Sequence, residues 1–195
     1  GGRVDIVFVR HGKTRLNDLG CFIGNTDCSL SEEGLKEAEK VKDFLRGMSF
    51  DRVYVSPLKR TVQTANVLGC EYVLDDRLRE MNFGIFEGLK YKEIEQKYSD
   101  YLRSWNQDYE NYTIPEGESL QDVFNRVDNF INDVRNKHKR VLAITHGGVI
   151  RCALSLIFSS RAFFYKFKID SGSVSIVEYD GDYGFIKGIY NSLDL

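Results

Sequence analysis

Two of the three histidines in this chain, and two of its arginines, sit where they could transfer a charged group. Arg10 and His11 close the apolar run Val4-Asp5-Ile6-Val7-Phe8-Val9, which Gly12 stops. His146 closes a second run, Val141-Leu142-Ala143-Ile144-Thr145, and is followed by Gly147 and Gly148. Between them, Val53-Tyr54-Val55 leads through Ser56-Pro57-Leu58-Lys59 to Arg60. A neutral imidazole nitrogen is a nucleophile near pH 7 and can carry a covalent intermediate. Guanidinium groups grip a phosphate through paired planar hydrogen bonds and hold positive charge where its equatorial oxygens gain negative charge. The group that suits all four side chains is a phosphoryl group. Cleaving its ester also needs a proton for the departing alkoxide. Glu80 and Glu87, in Leu78-Arg79-Glu80-Met81-Asn82-Phe83-Gly84-Ile85-Phe86-Glu87-Gly88, are the carboxyl candidates, and residue type does not choose between them.

These residues need strands to deliver them. Runs rich in Val, Ile and Phe with short lengths and glycine stops read as buried strands, and in open α/β sheets ligands bind at the strands' C-terminal edge. Strands are expected near residues 4, 51, 72, 141, 174 and 184, the last two joined by Asp180-Gly181-Asp182 as a hairpin. Ser31 with Glu32 and Glu33 opens a helix whose Leu35, Ala38, Val41, Phe44 and Leu45 share a face, ending near Gly47. Another helix follows Pro57, with Arg60 in its first turn beside the positive end of its dipole. Ser119 and Asp122 form a capping-box start for a helix carrying Leu120, Val123, Phe124, Val127, Phe130, Ile131 and Val134. The apolar stretch Val149 to Phe158 begins beside His146, and Gly147 and Gly148 there can turn backbone N–H groups toward an anion. The fold class is therefore α/β: a mostly parallel sheet of about six strands covered by helices on both faces.

Residues about 89–116 form an aromatic, charged excursion, with Lys92 to Trp105 reading as one helix or two short ones; it is the natural lid over the site. The loop Gly20 to Cys28 follows the first strand closely enough to line the same mouth. His138, in the basic run Arg135 to Arg140, reads as part of a solvated helix end and is left out of the chemistry.

Length and composition fit a single domain over residues 1–195, with 42% hydrophobic and 29% charged residues. A net charge of −2 advertises neither nucleic acid nor a membrane surface, and no apolar run is long enough to span a bilayer. A cytoplasmic protein with free thiols at Cys21, Cys28, Cys70 and Cys152 is the expectation; the four lack zinc spacing, and no carboxylate cluster suggests a metal. Neither metal nor other cofactor is expected, and the oligomeric state, a homodimer included, is left open.

The chain resembles the histidine phosphatase superfamily, also called the phosphoglycerate mutase-like family, along nearly its whole length. The matching stretches are Arg10-His11-Gly12-Lys13-Thr14, Asn17, Gly24 through Asp27, Leu30, Gly34, Ser56 through Ala65, Leu78-Arg79-Glu80, Phe83 through Gly88, Pro115 through Ser119, and Thr145 through Gly148. The resemblance implies a phosphoglycerate mutase-like fold, with His11 as the nucleophile and Glu80 as the acid, making Glu87 structural. It implies that Arg10, Asn17, Arg60 and Gly147 bind the phosphate together with His146, and that Phe22, Ile23 and Gly24 border the substrate. The substrate it implies is a small phosphorylated metabolite. The compact excursion and the Glu80 to Gly88 pattern resemble the phosphatase branch, and within it the α-ribazole-5′-phosphate phosphatases of cobalamin biosynthesis. The alternatives are a cofactor-dependent phosphoglycerate mutase and a non-enzymatic phosphate-binding protein on the same fold.

Overall fold

The strand that carries Arg10 is buried along most of its length because it lies inside a sheet with neighbours on both edges. In a computed structural model, which describes residues 2–194, β1 (Arg3–Arg10) buries Val4 and the run Ile6 to Val9. Its edges pair with β4 (Arg140–Thr145), parallel, and β5 (Val174–Asp180), antiparallel. With β2 (Arg52–Val55), β3 (Val73–Leu74) and β6 (Tyr183–Tyr190) they form a six-stranded sheet ordered β3-β2-β4-β1-β5-β6. The four strands β3, β2, β4 and β1 run parallel, and β5 and β6 complete the sheet as the expected hairpin.

Alternation along β1 divides the core in two. Val4, Ile6 and Phe8 face α5 (Leu120–Arg135) and α6 (Gly147–Ile157). Val7 and Val9 face the opposite layer, where Val41 of α1 (Glu32–Phe44) and Ala65 of α2 (Lys59–Leu68) are buried. Helices thus cover both faces of a mostly parallel sheet, as the continuous apolar strands require. The capping expectations hold: Ser31 accepts from the Gly34 N–H, and Ser119 and Asp122 bond reciprocally at the start of α5. The excursion consists of two short helices, α3 (Tyr91–Lys97) and α4 (Ser99–Gln107), broken at Tyr98. Its buried Ile94, Leu102 and Trp105 join the core on the α5 and α6 side. Among the described residues no helix is long and apolar enough to cross a membrane.

Candidate active site

Three parallel strands end side by side, and their C-terminal ends bring the sequence-distant histidines together. His11 follows β1 and His146 follows β4; their ring centroids are 5.1 Å apart, edge to face. Arg60, in the first turn of α2 after β2, is 1% exposed, and its charge acts on both rings. Glu80 comes in from the loop after β3. Two contacts hold that loop: Thr145 Oγ1 donates to the Leu78 carbonyl at 2.7 Å, and Arg126 of α5 donates to the carbonyls of Arg77, Arg79 and Glu80.

Hydrogen bonding fixes the proton on His11. Its Nδ1 stands 2.6 Å from the Gly12 carbonyl, which can only accept, so Nδ1 carries the hydrogen and Nε2 of the neutral ring has the lone pair. His146 Nε2 meets Ser56 Oγ at 2.8 Å, while its Nδ1 is buried without a protein partner. Nε of Arg10 is likewise buried and unpartnered, and the Arg10 guanidinium is anchored by the Ile169 carbonyl. Such orphaned groups are rare inside proteins, and these two leave polar atoms free to meet a ligand.

Burial, followed by the nearby Arg60 and Arg10 charges, pushes the His11 pKa well below its usual value. His146 is lowered in the same direction by burial first, then by Arg60, His11 and Arg10. Both rings are therefore neutral in the folded protein at pH values where a free imidazole is charged. The unfolded chain binds these protons first as pH falls, so stability is full above the free imidazole value of about 6.5 and declines below it until the depressed folded values are reached. The limiting slope is about 1.4 kcal/mol per pH unit for each histidine. Thermal denaturation between pH 7.5 and 5 should show a falling Tm, and His146→Gln should flatten the decline; an equal decline in that variant would remove the histidines as its cause.

The two candidate glutamates have different surroundings. Glu87 accepts from the N–H groups of Gly24, Asn25 and Phe83 and from Thr26 Oγ1, so its carboxylate braces the 22–26 loop. Arg60 fastens the same loop, donating to the Thr26 carbonyl at 2.7 Å and the Gly24 carbonyl at 2.6 Å. A Cβ on Gly24 would fall 1.7 Å from the Met81 carbonyl oxygen, which is why the loop passes there on a glycine. Glu80 instead accepts from its neighbour Met81 N–H at 2.9 Å and from the Gly148 N–H in the first turn of α6 at 3.0 Å. The N-terminal turn of α6 thus holds the carboxyl two residues from His146. A Cβ on Gly148 would approach Glu80 Oε1 to 2.3 Å, so the contact depends on a glycine.

A cavity of 220 Å³ opens beside Glu80 and Gly148, walled by Phe22, Phe83, Trp105, Tyr109, Phe164 and Tyr165. Phe22 packs edge to face on Phe83 and Trp105, with centroids 5.3 and 5.6 Å away. Excursion and 22–26 loop therefore share one aromatic wall. Arg151 of α6 also lines it.

The structure places His11, His146, Arg10, Arg60, Glu80 and Gly147 in one cluster at the C-terminal edge of the sheet. Gly147 lies at the start of α6, and a Cβ there would be 3.4 Å from Arg10 Cζ. Asn17 sits on a polar groove with Arg10 and Lys13, but its Oδ1 accepts from Thr14 N and Oγ1, leaving only its amide nitrogen for a ligand. Of Phe22, Ile23 and Gly24, Phe22 alone is among the residues lining the cavity. Sequence reasoning missed Ser56 as the partner of His146, Arg126 as the support of Glu80, and Arg151. Only Arg151 left a trace in the sequence: it is the one charged residue in the apolar run Val149 to Phe158. His138 pairs with Tyr54 at 2.9 Å, on a contact separate from this cluster. Among the described residues no group of three His, Cys, Asp or Glu side chains is placed to hold a metal ion.

The model of the histidine phosphatase superfamily (branch 1) matches residues 6–192. "Phosphoserine phosphatase 1" of Hydrogenobacter thermophilus is 32% identical over 186 residues, covering 91% of this chain and 87% of that protein. The solved structure of the alpha-ribazole phosphatase from Shigella flexneri superposes with a TM-score of 0.88 at 25% identity, over 97% of each chain. A phosphoserine phosphatase from Entamoeba histolytica, solved in complex with 3-phosphoglyceric acid, matches in fold with a TM-score of 0.83 at 22% identity, over 97% of this chain and 98% of that one.

Proposed function

This chain belongs to the histidine phosphatase superfamily and is a phosphoric monoester hydrolase, and on that premise we propose that it cleaves the phosphate monoester of a small metabolite through a phosphohistidine on His11, without a metal. The observation that supports this most directly is the His11 ring, held by the Gly12 carbonyl so that Nε2 carries the lone pair near Arg10 and the buried Arg60. In the first step Nε2 forms a bond to phosphorus as the bond from phosphorus to the ester oxygen breaks. Glu80, in its acid form, gives that oxygen its proton. Arg10, Arg60, His146 and the amide of Asn17 hold the phosphoryl oxygens, and the α6 N-terminus adds its dipole. In the second step Glu80 takes a proton from water, the water oxygen bonds to phosphorus, and the bond to Nε2 breaks to release phosphate. The arginines provide the charge neutralisation that a metal ion provides in other phosphoryl-transfer sites.

Two substrate readings are compatible with this chemistry. α-Ribazole 5′-phosphate would set its ring system against the aromatic wall, in keeping with the similarity to the Shigella protein. Phosphoserine, or a related small ester, would follow the similarity to the Hydrogenobacter protein. Phosphate release from a panel holding both of these, 3-phosphoglycerate and 4-nitrophenyl phosphate, measured with excess EDTA, tests the proposal. Release under chelation supports it. Isomerised phosphoglycerate with little free phosphate would favour a mutase, and no reaction with any ester would sink the enzyme reading.

A further inference from the structure

Building on the phosphomonoesterase reading, we infer that Arg151 determines specificity by receiving a carboxylate on the alcohol half of the substrate, so that the preferred esters are those of short hydroxy acids or hydroxy amino acids. Arg151 lies one turn and a half into α6, and its Nε donates to the Phe167 carbonyl at 3.0 Å. That bond sets the plane of the guanidinium. Its two Nη groups make no hydrogen bond, and no carboxylate pairs with them, among the described residues. The rest of the cavity they line is aromatic or aliphatic apart from Gly148 and one carboxylate, Glu80, which is taken up by backbone N–H groups. What the pocket lacks is an acceptor for a planar pair of donors.

The position of Gly147 says how far from the phosphate that acceptor would lie. A Cβ there would stand 3.4 Å from Arg10 Cζ and 3.4 Å from Arg151 Nη1, so the two cations flank one missing side chain. They repel each other, and Arg151 acts with burial to lower the Arg10 pKa. An ester with two anionic groups a few bonds apart relieves that repulsion, with its phosphate on Arg10 and its second anion on Arg151. A carboxylate matches one guanidinium fork in shape and charge. A second phosphoryl group, a dianion, calls for further cations, and no lysine lines this cavity.

O-Phosphoserine and O-phosphoethanolamine differ only by a carboxylate and make the test. We expect the purified wild-type protein to favour phosphoserine in kcat/KM by about tenfold or more, the worth of one hydrogen bond between charged groups. Arg151→Met should bring that ratio close to one, and Arg151→Lys, which keeps the charge without the fork, should retain part of it. The ratio of two substrates on one preparation is insensitive to partial misfolding, and the lysine variant covers failure of the methionine variant to fold. A wild-type ratio near one, an unchanged ratio in Arg151→Met, or faster turnover of α-ribazole 5′-phosphate or a bisphosphate than of phosphoserine would overturn the assignment. Turnover of 4-nitrophenyl phosphate separates these outcomes from failure of the phosphatase reading, in which no ester releases phosphate.

Discussion

His11→Ala is expected to lower kcat by about 10⁴-fold or more, the scale on which covalent catalysts lose activity when the nucleophile is deleted. The site holds no ready substitute. His146 uses Nε2 on Ser56, leaving only the Nδ1 proposed to hold a phosphoryl oxygen, and Glu87 accepts from three donors in the 22–26 loop and from the Phe83 N–H. The proposed attack also needs a neutral ring with its proton on Nδ1, and the Gly12 carbonyl provides that at His11 only. Rapid acid-free quenching with a radiolabelled ester should leave label on wild-type protein, labile to acid and stable to base, and none on His11→Ala. If the label persists in His11→Ala and disappears from His146→Ala, the roles of the two histidines are reversed.

Glu80→Gln should lower turnover of an alkyl phosphate by about 10²- to 10⁴-fold, the usual contribution of a positioned acid. Its signature is dependence on the leaving group. With 4-nitrophenyl phosphate the departing phenolate needs little help, so phosphorylation of His11 should stay fast. Hydrolysis of the intermediate still needs a base, and the variant should show a burst of nitrophenol followed by slow turnover. Glu87→Gln makes the contrast: its carboxylate braces backbone N–H groups of the 22–26 loop, so Tm should fall without a burst. Equal deficits on both esters in Glu80→Gln, with no burst, would remove Glu80 as the acid.

The strand ends were legible because β1 and β4 are buried on both faces, and continuous apolar runs ending in histidine are visible without coordinates. So was the helix after Pro57 that presents Arg60. The pattern could not say which glutamate mattered, since the answer lies in partners far along the chain: Gly148 for Glu80, Gly24 to Thr26 for Glu87. Arg126 had no signal either; it reads as a charge on an amphipathic helix, and only the fold shows its guanidinium under the carbonyls of the Glu80 loop. Ile23 and Gly24, unlike Phe22, are not among the residues lining the cavity. The Gly24 carbonyl accepts from Arg60 and its N–H donates to Glu87, while Phe22 forms the cavity wall.

The order of strands in the sheet also governs when the catalytic apparatus can exist. β1 is made before both of its hydrogen-bonded neighbours, β4 and β5, which lie beyond residue 139. Until β4 and β5 are made, the nascent chain therefore carries an apolar strand with two open edges, a template for pairing with other chains. Closing it requires contacts across more than half the sequence, the kind of long-range pairing that folds slowly. His11 is made well before His146, Gly147 and Gly148, so a chain stalled between them contains the proposed nucleophile without the surroundings that would let it act.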